Sequence, residues 1–261
     1  MAMITRDDTG AVARLTLNAP DRLNALSDTM LAALKTEMET LEGQPHIRAV
    51  ILAGAGKAFC AGHDLKEMTA GRAAEDGGQA YFADLFGRCS AVMMAIRALP
   101  QPVIAEVHGV AAAAGCQLVA SCDMAVAAQG TRFGVNGVNI GLFCSTPMVA
   151  LSRNVPRKQA FEMLTTGAFV DAERAVGIGL INRAVAPDAL QDETMRLAQT
   201  VAAKLGGAVR IGKRAFYEQL EMPVEQAYIH TGSVMTTNMM MDDTAEGIDA
   251  FLAKRSPEWS Q

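Results

Sequence analysis

The sequence predicts an α/β core that continues into a helical C-terminal region. Segments typical of strands and helices alternate over the first half of the chain, whereas nearly everything after Arg157 has a helical pattern. Half of the 261 residues are apolar, which is enough to build a sizeable core. No linker rich in Pro, Gly or Ser divides the chain. We therefore expect residues 1–200 to form the core and residues 201–261 the helical region.

The first elements follow from hydrophobic patterning. Residues 12–17 alternate apolar and polar side chains, as a half-buried strand does. Ser27 is suited to cap a helix. The apolar positions of that helix fall on one stripe, formed by Met30, Leu31, Leu34, Met38 and Leu41. Residues 49–53 are a short buried strand, and residues 54–80 form a long loop region rich in Gly and Ala.

The later elements alternate until the C-terminal region begins. We expect a helix over residues 81–98, then strands over 103–107 and 124–127, with a short helix at 116–121 between them. Residues 180–185 have the pattern of a last strand. The remaining helices are predicted over residues 157–166, 171–177, 187–205, 208–220, 223–240 and 242–254.

Charge and composition exclude several classes of function. The chain carries 23 basic and 28 acidic residues, a net charge of −5, so it has no generally basic surface for a nucleic-acid backbone. It has no charge-free run of roughly 18 apolar residues, which predicts no membrane span. The charged N-terminus lacks the features of a secretory signal or a transit peptide, so we expect a cytoplasmic protein.

Cysteine and histidine positions argue against disulfides and bound metals. The five cysteines are odd in number and widely scattered, as expected of free thiols in a reducing compartment. Cys116 and Cys122 lie six apart, which is no known zinc spacing, and the four histidines are isolated from one another. We therefore expect no metal site.

Two turns rich in glycine and alanine are the candidate chemical segments. The first covers residues 59–66 (Phe-Cys-Ala-Gly-His-Asp-Leu-Lys), and the second covers residues 108–117 (His-Gly-Val-Ala-Ala-Ala-Ala-Gly-Cys-Gln). Small residues let the backbone approach a ligand, and free N–H groups at a helix start favour negative charge. Two such N–H groups that converge would form an oxyanion hole. Close-packed turns without a ligand are the alternative interpretation.

Further segments match one family in order along the chain. They are Leu23-Asn-Ala-Leu26, Val50-Ile-Leu-Ala-Gly54, Pro102-Val-Ile-Ala105, Phe133-Gly134, Leu164-Thr-Thr-Gly167 and Glu246-Gly-Ile-Asp-Ala-Phe-Leu-Ala-Lys-Arg255. Any one of these segments is a weak signal, but their order together with the two turns is specific. The chain resembles the enoyl-CoA hydratase/isomerase (crotonase) superfamily over nearly its full length.

The resemblance implies a crotonase-like α/β fold, which is a spiral of ββα units followed by a helical C-terminal trimerisation region. It implies self-association as a trimer or a dimer of trimers. It also implies an acyl-CoA thioester as ligand and no permanently bound cofactor. By position, the backbone N–H groups of His63 and Ala114 would hold the thioester oxygen. The family usually has glycine where this chain has Ala114.

The resemblance assigns a larger set of residues to substrate and CoA. Arg22 and Lys66 would face phosphates, and the backbone of residues 61–65 would face the adenine. Phe251 and Lys254 match positions that close the CoA site, often from a neighbouring subunit. The full set is Arg22, Leu23, Ala25, Ala61, His63, Asp64, Leu65, Lys66, Val110, Ala113, Ala114, Gln117, Asn136, Gly137, Phe251 and Lys254.

The sequence departs from the family at both catalytic glutamates. Gln117 stands where the first glutamate would follow a Gly-Cys pair, and Gly137 stands where the second would end a Phe-Gly-x-Pro-Glu stretch. An amide does not titrate near neutral pH, and each general acid or base contributes roughly 10²–10⁴ in rate. We therefore expect no normal hydratase rate unless another group replaces them. We also expect Gly137 to enlarge the pocket.

Five other residues are candidates for the missing proton transfer, and each has a structural alternative. Glu106 lies on a strand whose alternation does not decide which way it faces, and His108 suits a hydrogen-bonded turn. Asp64 suits a loop or helix cap, and Asp123 suits a structural role at the end of its helix. Cys144 suits a buried, inert thiol, since reactivity requires a lowered pKa.

Two functions remain open at this point. The first is an acyl-CoA enzyme that polarises its thioester in the oxyanion hole, with hydratase, isomerase or other enolate or acyl-transfer chemistry. A lyase or isomerase is expected on this interpretation. The second is a non-catalytic acyl-CoA-binding or assembly protein, which the loss of both glutamates favours. A cysteine-peptidase function has no recognisable local signature of a nucleophile and its base.

Overall fold

The computed structural model describes residues 2–260, which form two sheets and the helices that surround them. The strands are β1 (Ile4–Thr9), β2 (Val12–Leu17), β3 (Ala49–Gly54), β4 (Val103–Val107), β5 (Val110–Ala112), β6 (Met124–Ala128), β7 (Arg132–Gly134), β8 (Val170–Asp171) and β9 (Arg183–Val185). The helices are α1 (Asp28–Glu42), α2 (Leu65–Gly71), α3 (Gln79–Ala98), α4 (Ala114–Ser121), α5 (Pro147–Asn154), α6 (Arg157–Thr166), α7 (Ala172–Gly177), α8 (Leu190–Ala202), α9 (Gly206–Gln219), α10 (Val224–Met239) and α11 (Asp242–Leu252).

The larger sheet has six strands in the order β1-β2-β3-β4-β6-β9. Strands β1 and β2 form an antiparallel hairpin, and every later pairing in this sheet is parallel. Parallel neighbours need crossover connections, which the intervening helices provide. The smaller sheet has the order β5-β7-β8, so β4 and β5 continue from one sheet into the other. This step brings β5 and α4 beside the turn that follows β3.

Helix α1 shows how the pattern in the sequence becomes packing. The Ser27 side chain accepts a hydrogen bond from the Met30 N–H, as predicted for its cap. The predicted apolar stripe is buried in the main core with the inner faces of α3 and the larger sheet. Helix α8 covers the opposite face of that sheet through a smaller apolar cluster that includes Ile51, Ile104 and Ala198. The sheet is therefore covered on both faces, as parallel sheets require.

The elements not predicted from the sequence are the short strands β5, β7 and β8, together with β1, α2 and α5. Strand β1 is charged and largely exposed, so its pairing with β2 leaves little apolar pattern to recognise. The expectation that residues 54–80 form one long loop is wrong, because α2 lies within them. Helix α5 follows a stretch rich in glycine and asparagine and buries only Pro147 and Leu151. These elements are short or weakly amphipathic, and tertiary contacts hold them.

The C-terminal helices leave the core after a buried anchor. Lys213 of α9 forms an ion pair with Asp123 at 2.7 Å, and the Tyr217 hydroxyl donates to the same carboxylate at 2.8 Å. Beyond this anchor, no residue of α10 is buried, and Phe251 of α11 is 82% exposed. Within residues 2–260, none of the helices is long and apolar enough to cross a membrane.

Candidate active site

The turn after β3 is held by one buried asparagine. The Asn24 side chain donates to the carbonyls of Ala55 and Ala58, both at 2.8 Å, and accepts from the Ala19 N–H at 2.9 Å. Asn24 has a φ of 52°, a left-handed conformation that asparagine tolerates better than most residues. The Leu26 N–H then donates to the Gly62 carbonyl at 2.7 Å. These bonds fix the path of the backbone into position 63.

Asp64 ends this turn and begins α2. Its carboxylate accepts from the N–H groups of Lys66 at 2.9 Å and Glu67 at 3.4 Å. This is the capping role that the sequence suggested for Asp64. Arg22 lies 3.4 Å from Asp64 and 3.9 Å from Glu67 and is 65% exposed, so two carboxylates already share its charge. Lys66 is exposed to solvent.

The second turn joins β5 to α4 and contacts the first. The Ala112 N–H donates to the Cys60 carbonyl at 3.0 Å. A Cβ on Gly62 would lie 3.0 Å from the Ala112 carbonyl oxygen and 3.4 Å from the Ala114 nitrogen. Ala113, between them, has a φ of 48° and a ψ of −116°, which strains a residue with a side chain. The two turns therefore approach each other more closely than ordinary side chains would allow.

Two backbone N–H groups at this contact have no protein acceptor within residues 2–260. One belongs to His63, which pairs with Leu26 as an isolated parallel bridge. The other belongs to Ala114, the first residue of α4, where helix geometry leaves N–H groups without an intrahelical partner. Both residues line one cavity of about 270 Å³. Two residues with free N–H groups therefore border the same cavity.

The walls of this cavity are mainly apolar, and none of its described lining residues is a carboxylate or a cation at neutral pH. Only His63 and Cys144 titrate among them. Burial lowers the pKa of His63, which favours the neutral imidazole, and burial raises the pKa of Cys144, which favours the thiol. The lining is Ala61, His63, Leu65, Met68, Phe86, Ala113, Ala114, Asn136, Gly137, Ile140, Leu142, Phe143, Cys144, Ser145, Thr146 and Pro147.

The His63 imidazole contacts the residues just before α1 and the inner face of α3. Its Nδ1 lies 3.4 Å from the Leu26 carbonyl oxygen, just before α1. Its ring meets the Phe86 ring of α3 edge-on, with centroids 5.8 Å apart. The Nε2 atom is buried and has no hydrogen-bond partner within residues 2–260. The side chain therefore holds the backbone of residue 63 in place beside the cavity.

Gln117 is brought near the first cavity but lines a different one. Its N–H donates to the Ala113 carbonyl at 3.0 Å, one turn into α4. The side chain is buried, and its Oε1 lies 4.0 Å from the Cys89 sulfur. It belongs to the wall of a second cavity of about 650 Å³. Gln117 thus does not line the cavity that His63 and Ala114 line.

The expectation that Gly137 enlarges the pocket is wrong. A Cβ at this position would lie 2.3 Å from the Leu142 carbonyl oxygen and 2.9 Å from the Cys144 sulfur. The Gly137 N–H donates to that sulfur at 3.4 Å. The loop at residues 142–144 thus fills the space where a larger side chain would begin. A glutamate at position 137 requires this loop to move.

Three of the other candidates for proton transfer, Glu106, His108 and Asp123, have structural partners outside the cavity. Glu106 forms a two-contact ion pair with Arg14 of β2, and its alternation along β4 places it with Ile104 on the face covered by α8. His108 has its Nε2 2.9 Å from the Gly56 carbonyl oxygen, as a turn histidine does. The Asp123 carboxylate accepts from the Val103 N–H at 2.6 Å in addition to its α9 partners.

The cavity lining includes seven residues of the set implied by the family resemblance: Ala61, His63, Leu65, Ala113, Ala114, Asn136 and Gly137. Five others lie on or beside the turn without lining the cavity: Arg22, Leu23, Ala25, Asp64 and Lys66. Val110 pairs with Arg132 between β5 and β7. Phe251 and Lys254 lie at the end of α11 and are exposed. The chain does not bring these last two residues into its own cavity.

Part of the apolar wall was not assigned to the site from the sequence. Phe86 was identified only as part of a helix stripe, and Met68 was assigned to a loop. Ile140, Leu142 and Phe143 are 63%, 41% and 39% exposed, so they gave no burial signal. Their position after a glycine-rich stretch was the available clue, because long irregular segments often carry binding residues.

The fold and the cavity together define a class: mixed α/β proteins with two free backbone donors, one of them at a helix N-terminus, beside an apolar pocket. Sequence comparison identifies the family within this class. The family described as Enoyl-CoA hydratase/isomerase matches residues 7–261, and the chain belongs to it.

Close relatives agree with this assignment and confirm the crotonase-like fold. Enoyl-CoA hydratase domain-containing protein 3, mitochondrial, from Homo sapiens is 47% identical over 95% of this chain and 80% of the relative. Among solved structures, an enoyl-CoA hydratase from Mycobacterium smegmatis is 55% identical, with a TM-score of 0.95 over 99% of each chain. The human domain-containing protein 3 is 44% identical, with a TM-score of 0.94 over 98% of this chain and 100% of that one.

Proposed function

We propose that this chain is an acyl-CoA thioester-binding enzyme that polarises the thioester carbonyl between the N–H groups of His63 and Ala114. The observation that carries the proposal is that both donors lack protein acceptors within residues 2–260 and line the same cavity. A thioester oxygen placed there accepts both hydrogen bonds. Negative charge that develops on that oxygen is then stabilised without movement of the protein.

Helix α4 strengthens this effect. Ala114 is its first residue, so the positive end of the helix dipole points at the same oxygen. Mutational loss of one such donor typically costs about 2.7–4 kcal/mol in the transition state. Only the backbone is needed, so the alanine and histidine side chains are compatible with the role.

The remaining contacts with CoA are proposed from the family and the exposed surface. Arg22 and Lys66 would approach phosphates from beside the turn, and Phe251 and Lys254 would close the site of a neighbouring copy. The exposed apolar side chains of residues 201–261, such as Val224, Tyr228 and Met235, support self-association of this region as a trimer or a dimer of trimers. No permanently bound cofactor is needed for this chemistry.

The reaction class proposed is that of a lyase or isomerase acting on an acyl-CoA. The described cavity lining supplies no carboxylate, so a proton must be carried by water, by the substrate or by a group from a neighbouring subunit. The proposed compartment is the cytoplasm, where five buried free thiols stay reduced. The mitochondrial names of the relatives make the mitochondrion the alternative.

The test measures turnover of a broad panel of acyl-CoA substrates by mass spectrometry. Wild type is compared with a glycine variant in which an added side chain pushes the two turns apart. Gly62→Ala places a Cβ against residues 112–114 and is expected to lower turnover by about 10²–10³, the loss of one donor. Gly130→Ala is the matched control, because Gly130 also has a positive φ but has open space around it. Equal activity in both variants, or no product from any substrate, would contradict the proposal.

A second candidate function is a non-catalytic acyl-CoA-binding or assembly protein. The observation that favours it is the pair of positions that lack glutamates: Gln117 is an amide that lines the second cavity, and the space beside Gly137 is filled. This function predicts that CoA esters raise the melting temperature without any turnover. At a ligand concentration a hundredfold above Kd, the free energy of unfolding should rise by about 2.7 kcal/mol. Turnover that Gly62→Ala abolishes would exclude it.

A further inference from the structure

The second cavity, of about 650 Å³, differs from the first in the polarity of its wall. The first cavity is mainly apolar, whereas most of the described residues around the second are polar or charged. Ser152 and Arg153 belong to this wall and are exposed, so the cavity opens to solvent. The proposed function leaves this cavity without a role.

The charged groups of the second cavity already have protein partners. Glu221 lies 3.7 Å from Arg97 and 3.5 Å from Arg153. The Asp123 carboxylate lies 2.7 Å from the Lys213 ammonium group. An ionic occupant would have to compete with these pairs, and an apolar occupant would leave hydroxyl and amide groups of the wall without hydrogen bonds. Water is the occupant that suits such a wall.

Gln117 brings an unpaired amide nitrogen to the buried part of this cavity. The residue is only 4% exposed. Its Oε1 lies 4.0 Å from the Cys89 sulfur, and burial raises the pKa of Cys89 to about 12, so that group is a thiol and donates to the oxygen. The Nε2 atom has no hydrogen-bond partner among residues 2–260. A buried donor in this state is costly unless a water accepts from it.

Thr146 stands where the two cavities meet, since both of them include it in their described lining. Its hydroxyl makes no capping bond at the start of α5 and has no other partner in the described part of the chain. A hydroxyl both donates and accepts, so it can bind a water on either side. Gln117 lies one turn beyond Ala114 on α4, a rise of about 4.5 Å. The two unpaired groups therefore lead from the second cavity towards the N–H of Ala114.

We propose that the second cavity holds the water that carries the proton of the reaction, with Gln117 and Thr146 as positioning residues. The inference rests on the proposed function, whose described cavity lining supplies no carboxylate. A water held by the Gln117 amide and the Thr146 hydroxyl gives a proton to the acyl group or takes one from it. The next water towards solvent then restores its charge. Two protein contacts and one water neighbour make about three hydrogen bonds, the usual number for a buried water.

The first experiment measures kcat and KM with a substrate that the acyl-CoA panel identifies. Thr146→Val removes the hydroxyl at similar volume, and we expect kcat to fall by about tenfold, the worth of one hydrogen bond, at unchanged KM. Thr146→Ser keeps the hydroxyl and should recover most of the lost kcat, which a packing role of the methyl group would not allow. Thr165→Val is the matched control, because Thr165 is exposed on α6 and lines neither cavity.

Gln117→Met tests the second positioning residue in the same assay. It removes the amide at similar length, and we expect kcat to fall by about tenfold, again at unchanged KM. In both Gln117→Met and Thr146→Val, the ratio of kcat in H2O to kcat in D2O should rise, because proton transfer becomes slower relative to the other steps. A ratio equal to that of wild type in both variants would mean that these residues act only through packing.

A second measurement locates the water directly. A high-resolution crystal structure of the wild type is expected to show an ordered water at ~2.5–3.2 Å from Gln117 Nε2 or the Thr146 hydroxyl, and Thr146→Val is expected to lose it. Absence of that water from the wild type overturns this inference alone, as does unchanged kcat in Thr146→Val while Gly62→Ala loses turnover. No product from any acyl-CoA removes the proposed function together with it.

Discussion

The candidate site has two halves, one around the N–H groups of residues 63 and 114 and one around residues 117 and 137. Different contacts hold the two halves in place. In the half that carries the N–H donors, Asn24 ties three backbone groups together, and Gly115 allows α4 to pack directly on the preceding turn. In the half around Gln117 and Gly137, neither side chain can carry a proton, and the loop at residues 142–144 occupies the remaining space. In the proposed function, carbonyl binding depends on the fit of the backbone and proton transfer on side-chain identity, so the two can be tested separately.

The largest loss of stability is expected from a substitution at Gly115, in the half that carries the N–H groups. A Cβ there would lie 2.2 Å from the Cys60 carbonyl oxygen, and neither atom belongs to a flexible side chain. We expect Gly115→Ala to lower the free energy of unfolding by about 3 kcal/mol or more, measured by urea denaturation. Gly87→Ala, in open space on α3, should instead be neutral or stabilising. Equal stability of the two variants would show that the turn is not tightly packed.

Asn24 offers a smaller perturbation of the same half. Asn24→Ala leaves two carbonyls and one N–H without their partner, so we expect a loss of about 2 kcal/mol in the free energy of unfolding. Asn24→Gly separates the causes, because glycine restores the left-handed conformation but not the hydrogen bonds. Recovery of wild-type stability in the glycine variant would mean that conformation, rather than hydrogen bonding, holds the turn.

The side-chain half is tested by Gln117→Glu. Burial of position 117 should raise the pKa of the new carboxyl above its unfolded value, so the variant matches wild type below about pH 4. As pH rises towards the folded pKa, the variant should lose about 1.4 kcal/mol for each unit of the shift, measured by thermal melts. Hydration of enoyl-CoA should stay at the wild-type level, because position 137 still lacks the second glutamate that the family resemblance implies there. A large gain in hydration would show that one carboxylate is enough.

The smallest effect concerns His63. Burial, and then the charge of Arg88, lowers the pKa of this imidazole below its ordinary value. The unfolded chain therefore binds the proton first, so stability that is present at neutral pH is lost as pH falls below about 6.5. His63→Phe keeps the backbone N–H and should flatten this loss in melts between pH 7.5 and 5. An unchanged pH dependence would place the titrating group elsewhere.

Much of the fold could be predicted from the sequence because its core elements are strongly patterned. The stripe of α1 and the strands β2, β3 and β4 lie where the periodicity placed them, to within a residue. Strand β1 and helix α2 were not predicted because their residues are mostly polar or small. Pairing with β2 stabilises β1, and the Asp64 cap stabilises the start of α2. The order of motifs pointed to the family, which the comparisons confirm.

The candidate site was predictable only in part. Residues 63 and 114 could be named from the motifs, because the role proposed for them belongs to the backbone at fixed positions. The space beside Gly137 could not, because it depends on where the Leu142 carbonyl lies, and no local pattern reports a contact five residues away. The direction of the Glu106 side chain was likewise open until β2 supplied Arg14 as its partner.

The free donors at positions 63 and 114 belong to peptide groups, which every amino acid except proline carries. An alanine scan would pass over both positions, and position 114 is already alanine. Chemical modification of side chains would also leave both N–H groups unchanged. Replacing a single amide bond by an ester through protein semisynthesis is the kind of perturbation that reaches such a group, and it leaves every side chain in place.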